Sequence, residues 1–173
     1  MEEMLDVYTR DGKHLGSKTR SECHQENPGF YHKPVWIWIY NDNGEFLVQK
    51  RSMLKKIRPG YWDLPSAGHV EAGETSINGA IRETKEELGV DTKPEDYHYV
   101  GEFTSDVTWE IGQIYTLKLN LKVEDFKLQE EEVTEVKWLS FEDFKNLLYS
   151  DQFVPYEDEL KDLSIKELEQ YKK

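Results

Sequence analysis

The sequence predicts one mixed α/β (α+β) domain, spanning residues 1–173, in which helices pack on a β-sheet. The length of 173 residues falls within the range of about 100 to 200 residues that is usual for a single domain. Short runs rich in aromatic and β-branched residues predict strands, and segments with helix-capping signals lie between and after them. No internal repeat, linker or low-complexity segment divides the chain. This order of elements favours a sheet covered by helices.

Charge and composition narrow the classes of partner. The 22 basic and 35 acidic residues give a net charge of −13, which would repel nucleic-acid backbones and anionic membrane surfaces. A small anionic substrate would need a metal ion or a local basic patch. The N-terminus lacks a secretion-signal pattern, no apolar run approaches the roughly 20 residues of a membrane span, and the sole cysteine, Cys23, excludes an internal disulfide. We therefore expect a cytoplasmic protein, monomeric or homodimeric, with no nucleic-acid or membrane partner.

The first predicted element is a β-hairpin at about residues 5–18. Leu5 to Thr9 and Lys13 to Lys18 would pair across Asp11-Gly12, because an Asp-Gly pair readily adopts the positive φ angles of a tight turn. The next strand covers residues 34–40, PVWIWIY, whose apolar side chains do not alternate with polar ones. Both faces of that strand should be covered, so it is the predicted centre of the sheet.

A second hairpin leads into a basic loop. Asn43-Gly44 turns the chain into a strand at Phe46 to Val48. Five basic residues then fall within nine positions, namely Lys50, Arg51, Lys55, Lys56 and Arg58. In an acidic protein this loop predicts a local anion site, although a solvated charged loop would explain the same pattern.

An acidic helix follows the basic loop. Thr75 is a natural N-cap and Gly89 a natural stop, which predicts a helix of about 13 residues. Glu83, Glu86 and Glu87 fall within about 100° of one another around this helix. A cation would relieve their mutual repulsion, and hard oxygen ligands in this number suit Mg²⁺ or Mn²⁺. The alternative is a charged helix edge that merely faces water.

The same helix has an apolar edge and an internal ion pair. Ile77, Ile81 and Leu88 lie together on a separate edge, which we expect to pack on the sheet. Arg82 lies one turn before Glu86 and can pair with it, which would hold that carboxylate in place.

Three strands and two helices complete the predicted fold. Aromatic and β-branched runs predict strands at Tyr97 to Thr104, Ile111 to Val123 and Val136 to Leu139. Ser140 would open one helix, and Ser164 with Glu167 forms the capping box of a last helix. The C-terminal helices would thus cover about residues 140–172.

The segment from Gly68 to Val90 contains a spaced motif. It consists of Gly68, five residues, Glu74, seven residues, Arg82-Glu83, two residues, Glu86-Glu87, and then Gly89 and Val90. This string resembles the Nudix box at every fixed polar and glycine position. Thr84 departs from the pattern, because the family usually has an aliphatic residue there.

The resemblance implies a Nudix fold, in which a mixed β-sheet is sandwiched between helices, and a pyrophosphohydrolase activity. It implies Mg²⁺, with Mn²⁺ as an alternative, held by Glu83, Glu86, Glu87 and the Gly68 carbonyl. Glu83, Arg82 and Glu86 would be catalytic. The substrate would be a nucleoside diphosphate linked to another moiety, or a related organic diphosphate.

Other acids have different expected roles. Glu74 lies nine residues before Glu83, so we expect a structural role, such as contact with the positive end of the helix. A carboxylate must also take the proton of the attacking water. Glu83, Glu102, Asp106 and Glu110 are the candidates for that base.

Outside the box, the chain resembles the Nudix subgroup around type 1 isopentenyl diphosphate isomerase. The similarity lies in the basic strand end, the Trp62 segment and the Gly68-His69 pair. Arg51 and Lys55 match residues with which that isomerase binds a diphosphate.

The isomerase resemblance also concerns a second metal and a thiol. His24, His32 and His69 lie at places similar to the metal-binding histidines of the isomerase, although scattered histidines are more often ordinary surface or core residues. Ala67 stands where the isomerase has its catalytic cysteine, so the sequence favours hydrolysis over isomerisation. A non-catalytic module that binds a nucleotide or an isoprenoid diphosphate is a further alternative.

Overall fold

A computed structural model describes the whole chain, from Met1 to Lys173. Its helices are α1 (Arg20–Cys23), α2 (Ser76–Leu88), α3 (Phe141–Leu148) and α4 (Asp158–Leu168). Its strands are β1 (Met4–Tyr8), β2 (His14–Thr19), β3 (Tyr31–His32), β4 (Pro34–Tyr40), β5 (Phe46–Arg51), β6 (Trp62–Asp63), β7 (Ser66–His69), β8 (Tyr97–Ser105), β9 (Glu110–Lys118) and β10 (Val133–Leu139). Short 3-10 turns lie at Pro94–Asp96, Val123–Asp125 and Glu169–Tyr171.

All ten strands belong to one mixed sheet. Its main path is β10-β5-β4-β9-β3-β1-β2, while β6 pairs with β5, β7 with β4 and β8 with β9. β4 runs parallel to β9 and antiparallel to β5 and β7. It meets β7 along its first four residues and β5 only at Tyr40, so β5 and β7 diverge from the two ends of one central strand.

The central strand is covered on both faces, as predicted. Trp36 and Trp38 are buried in a cluster with Phe144 of α3 and residues of α4. On the opposite face, Ile37 is buried in a cluster with Ala80 of α2. The sheet therefore lies between α2 on one side and α3 with α4 on the other, which confirms the predicted sandwich.

The N-terminal hairpin is confirmed and continues the sheet. β1 pairs antiparallel with β2, and its other edge pairs with β3, which in turn pairs with β9. Leu5 and Val7 of β1 are buried against Cys23 of α1. α1 and β3 were not predicted, because four- and two-residue elements are too short to show a periodic pattern.

The bounds of α2 are confirmed at both ends. The Thr75 hydroxyl accepts a hydrogen bond from the Asn78 N–H, and Gly89 ends the helix with φ at +71°. The predicted apolar edge packs on the sheet in part, since Leu88 is buried in the cluster under the helix and Ile77 packs against that cluster. Residues 80, 84, 87 and 88 are buried, whereas Ile77 and Ile81 are only partly buried. A small residue at position 80 lets the helix approach the sheet closely.

Thr84, the residue that departs from the box pattern, is fully buried. The Tyr97 hydroxyl donates to the Thr84 hydroxyl over 3.0 Å and also lies 2.7 Å from the Thr92 hydroxyl. The polar group is therefore satisfied, as a buried hydroxyl requires.

The C-terminal part of the prediction needs two corrections. α3 follows the Ser140 N-cap as predicted, but α4 begins after Glu157, and Ser164 lies inside it. The predicted capping box at Ser164 is wrong because this serine is buried and donates to the Leu160 carbonyl over 2.7 Å, as serines within helices can. β9 ends at Lys118, before the predicted end at Val123.

No helix of the protein combines the length and the apolar character needed to cross a membrane.

Candidate functional site

A cavity of about 850 Å³ opens beside the C-terminal half of α2. Strands β4, β5, β6, β7 and β9, helix α2 and the segment between α3 and α4 all contribute to its walls. Its charged lining includes Glu83, Glu86, Glu87, Glu110, Asp63, Arg51, Lys55 and Arg82. The box residues and the two basic residues predicted for a diphosphate thus surround one cavity.

Glu83 lies directly against the backbone of Gly68. A Cβ atom built on Gly68 would fall 2.1 Å from the Glu83 carboxyl carbon, so any side chain at this position would displace the carboxylate. The Glu83 side chain is 13% exposed, and burial raises its pKa to about 7. The glycine at position 68 therefore lets a predicted metal ligand lie against the backbone of β7.

Glu87 lies deeper than Glu83, in the divide between β5 and β7. Its carboxylate accepts hydrogen bonds from Gln49 Nε2 of β5 over 2.8 Å and from the Ala67 N–H of β7 over 3.4 Å. Burial, and then the charge of Glu83, raise the pKa of Glu87 well above its usual value. Gln49 was not predicted, because it stands between the apolar run Phe46 to Val48 and the basic pair Lys50 and Arg51, where nothing local indicates a contact with Glu87.

The three box carboxylates line the cavity from its mouth to its interior. The Glu86 side chain is about half exposed, while Glu83 and Glu87 are largely buried. Two buried carboxylates side by side are costly unless a cation neutralises them. Carboxylate oxygens and the nearby Gly68 backbone are the donors that Mg²⁺ or Mn²⁺ prefers, so the residues present fit such an ion.

Arg82 is fixed by the loop before α2. It donates two hydrogen bonds of 3.0 Å to Glu74, one of 2.8 Å to the His69 carbonyl and one of 3.0 Å to Glu83. Its predicted partner Glu86 is farther away, at 3.5 Å. Glu74 has a structural contact, as expected, but with Arg82 and the Glu71 N–H rather than with the helix end.

Both predicted diphosphate-binding residues line the cavity, and each of them contacts other residues of the protein. Arg51 donates to the Ile57 and Arg58 carbonyls and, over 3.1 Å, to Asp63. Lys55 forms an ion pair with Glu132 at the mouth. Asp63 was missed, because a two-residue strand gives no pattern from which its side-chain direction could be deduced.

The three predicted histidines come together with a fourth donor. One ligand atom from each of His24, His32, His69 and Glu110 lies within 4.8 Å of the others. His24 Nε2 is 3.2 Å from His69 Nε2, and His32 is buried with neither ring nitrogen hydrogen-bonded. Burial and the neighbouring histidines lower the pKa of His69 to about 3, which keeps its ring neutral. Neutral imidazoles with a carboxylate can bind a transition metal.

Two of the four base candidates lie outside the cavity. Asp106 pairs with Arg10 and the Tyr31 hydroxyl, and Glu102 accepts from Gln113. Glu83 and Glu110 line the cavity.

The cavity contains no thiol. Ala67 lines it at the position matched to the isomerase cysteine, and Cys23 is buried beneath the N-terminal hairpin. Tyr156, by contrast, contributes an unpredicted hydroxyl from the segment between α3 and α4. The residues that surround the cavity thus suit hydrolysis better than allylic proton transfer.

Comparison with known proteins agrees with this geometry. The family model described as the NUDIX domain matches residues 30–158. Nudix hydrolase 3 of Arabidopsis thaliana is 36% identical over an alignment of 170 positions that covers 90% of this chain but only 22% of that protein. A Nudix hydrolase of Listeria innocua is 36% identical over 152 residues, 84% of this chain and 85% of that protein.

Two further comparisons concern the isomerase resemblance and the fold. The isopentenyl-diphosphate Delta-isomerase of Cutibacterium acnes is 29% identical over 150 residues, 81% of this chain and 75% of that protein. The crystal structure of DR0079 from Deinococcus radiodurans superimposes with a TM-score of 0.75 at 17% identity, covering 97% of this chain and 98% of that one. On the extent of the domain match and the identity with hydrolases of the family, the chain belongs to the Nudix family and is one of its pyrophosphohydrolases.

Proposed function

We propose that the protein is a Mg²⁺-dependent hydrolase that cleaves the diphosphate linkage of a nucleoside diphosphate joined to another moiety, or of a related organic diphosphate. The observation that carries this proposal is the placement of Glu83 and Glu87. Both carboxylates are largely buried and face one cavity, with Glu83 beside the Gly68 backbone and Glu87 beside the Ala67 N–H, and a divalent cation there would offset their charge. When bound, the ion would activate water and neutralise phosphate charge.

Other side chains around the cavity would orient the carboxylates, take a proton from water and bind the diphosphate. Arg82 orients Glu83 through a 3.0 Å hydrogen bond and places Glu86 at the mouth. Glu83 and Glu110 are the two candidates within the cavity for taking a proton from water. Arg51 and Lys55 line the same cavity and supply positive charge for the diphosphate.

The proposal favours a small-molecule substrate. The net charge of −13 would repel a nucleic-acid backbone, whereas one diphosphate with its metal ion fits the local arrangement of acids and bases. The absence of a thiol from the cavity counts against isomerase activity. A binding module without catalysis would have no evident use for two buried carboxylates in one cavity.

The experiment is a hydrolysis screen with Mg²⁺ over nucleotide sugars, dinucleotides, ADP-ribose, nucleoside triphosphates and isoprenoid diphosphates, in which chromatography detects the phosphate-bearing products of cleavage. We expect turnover of at least one class, and we expect Glu83→Gln and Glu87→Gln each to lower kcat by orders of magnitude. Glu142→Gln, an exposed glutamate in the first turn of α3, is the matched control. No turnover together with tight binding of one compound would favour the module. Wild-type rates in both variants would show that the site is misplaced.

We also propose that His24, His32, His69 and Glu110 bind a second metal ion, of a transition element. The unsatisfied, buried His32 ring supports this, because buried polar groups in proteins are normally paired. After exchangeable Mg²⁺ is removed, metal analysis should find about one bound transition-metal ion per chain, and fewer in His32→Ala. Equal metal content in both proteins, or none in either, would contradict the assignment.

A further inference from the structure

Asp63 lies where three segments of the chain meet in the cavity wall. Its side chain is 6% exposed, and its carboxylate has three donors. The Leu64 N–H lies 2.7 Å away, the Tyr156 hydroxyl 2.5 Å and Arg51 Nη1 3.1 Å. One buried acid thus contacts the backbone directly after β6, the end of β5 and the segment between α3 and α4.

Backbone hydrogen bonds hold Tyr156 in this position. The Trp62 N–H donates to the Gln152 carbonyl, and the Val154 N–H donates to the Trp62 carbonyl, both over 2.9 Å. The segment before α4 therefore pairs with β6 and cannot shift independently of it. Tyr156 is consequently a fixed donor to Asp63, on the side of the carboxylate away from Arg51 Nη1.

Arg51 connects Asp63 to the basic loop. Besides Asp63, its guanidinium donates to the Ile57 carbonyl from both Nε, over 3.2 Å, and Nη2, over 2.8 Å. Residues 52–60 form the loop that carries Lys55 into the cavity. The same guanidinium therefore contacts the cavity wall through Asp63 and the loop through Ile57.

We propose that Asp63 is a positioning residue for the diphosphate: by fixing the Arg51 guanidinium, it holds both Arg51 and the loop that carries Lys55 in the orientation that binds substrate. This inference rests on the proposed function and extends it to a residue outside the Nudix box. Without Asp63, the guanidinium would be held only by the carbonyls of the loop, so Arg51 and the loop could move together, and ordering them again on binding would weaken affinity. Asp63 therefore acts through Arg51 and need not touch the substrate.

The test compares wild-type protein with Asp63→Asn, which keeps the size of the side chain and removes its charge. Two quantities are measured: the KM and kcat for the best compound of the substrate screen, and the Kd for inorganic pyrophosphate by calorimetry in magnesium buffer. We expect KM and Kd to rise about tenfold or more, which matches the loss of one charge-assisted hydrogen bond, while kcat stays within about threefold. Asp158→Asn, an exposed aspartate at the start of α4, is the control and should change neither constant.

The outcomes separate this inference from the proposed function. Failure of the wild type to turn over any compound would refute the proposed function, whereas a tenfold difference in pyrophosphate Kd would still support the role of Asp63. The role of Asp63 would be overturned by unchanged KM and Kd in Asp63→Asn, or by a loss confined to kcat. It would also be overturned if the wild type did not bind pyrophosphate. If Asp63→Asn fails to fold by circular dichroism, Arg51→Lys tests the same contact. It keeps the positive charge but cannot reach Asp63 and Ile57 together, so an unchanged KM and Kd there would overturn the proposal.

Discussion

The guanidinium of Arg82 meets the carboxylate of Glu74 through two parallel hydrogen bonds, Nε to Oε1 and Nη2 to Oε2, each 3.0 Å long. Glu74 lies in the loop before α2, and the Glu71 N–H also donates to it over 2.9 Å. Arg82 also donates to Glu83, so the contact between Glu74 and Arg82 couples the position of the loop to the orientation of the Glu83 carboxylate in the cavity.

Glu74→Gln should therefore affect stability and catalysis together. The amide cannot accept both bonds from Arg82, and loss of a charge-assisted hydrogen bond in a partly buried site should lower the free energy of unfolding by about 2 kcal/mol. We also expect kcat to fall, because Glu83 loses the fixed orientation of its partner. Urea denaturation and steady-state kinetics measure the two effects. Glu71→Gln is the control, since Glu71 is half exposed and its carboxylate lies 4.0 Å from Arg82. Equal effects of both changes would contradict the prediction.

Gly68→Ala should reduce activity while the fold is kept. The added methyl group would lie 2.1 Å from the Glu83 carboxyl carbon, so Glu83 must move. A shift of about 1 Å in a catalytic group can cost about 100-fold in rate, and we expect a loss in kcat of that order. Circular dichroism verifies the fold and single-turnover kinetics measures the rate. An alanine variant with the wild-type rate would show that the close contact with Glu83 does not matter for catalysis.

The stability of the metal-free protein should depend on pH through Glu83. Its pKa is about 7 in the folded protein against 4.5 for a free glutamate, so between these values the folded chain binds more protons than the unfolded chain. The contribution of Glu83 to stability is therefore full below about pH 4.5 and is lost as the pH rises through about 7.

Urea denaturation with a chelator, repeated over this pH range, measures the effect. We expect the stability of the wild type relative to Glu83→Gln to fall with rising pH, by at most about 1.4 kcal/mol per pH unit. For the exposed Glu142, the difference in stability between the wild type and Glu142→Gln should not change with pH. A flat difference for Glu83→Gln would mean that water solvates this carboxylate well.

Thr84→Val tests the polar residue at the aliphatic position of the box. Valine fills nearly the same volume but removes the acceptor of the Tyr97 hydroxyl, which keeps its contact with Thr92. We expect a loss of about 1 kcal/mol in the free energy of unfolding. In a Tyr97→Phe background the same change should cost less, because the hydrogen bond between Tyr97 and Thr84 is already absent there. Equal costs in the two backgrounds would show that the Thr84–Tyr97 contact contributes nothing.

Local signals in the sequence predicted the elements that depend on local rules. Thr75 and Gly89 fixed the ends of α2 because capping is decided by a few neighbouring residues. The unbroken apolar run of β4 predicted its central place for a similar reason, since burial on both faces removes alternation. Ser164 misled the prediction, because serine followed by glutamate three residues later occurs both at a helix start and inside a helix.

The full lining of the cavity could not be predicted from local sequence patterns. Its box carboxylates follow from helix geometry, and the structure brings them together as expected. Gln49, Asp63 and Tyr156 join them through pairings between distant segments, and Asp63 and Tyr156 are 93 positions apart. Glu110 was considered as a base, but its approach to the three histidines depends on the pairing of β3 with β9, which the sequence did not reveal.

The pairing of Trp62 with the Gln152–Val154 segment has a consequence for synthesis of the protein. A ribosome releases the Nudix box long before it releases Tyr156, so the nascent chain can form α2 while the cavity still lacks one wall. Pyrophosphate capture through Arg51 should therefore arise late, when the emerging C-terminal residues dock beside β6. Ribosome-bound chains that stop before residue 152 would have the motif without a finished binding site.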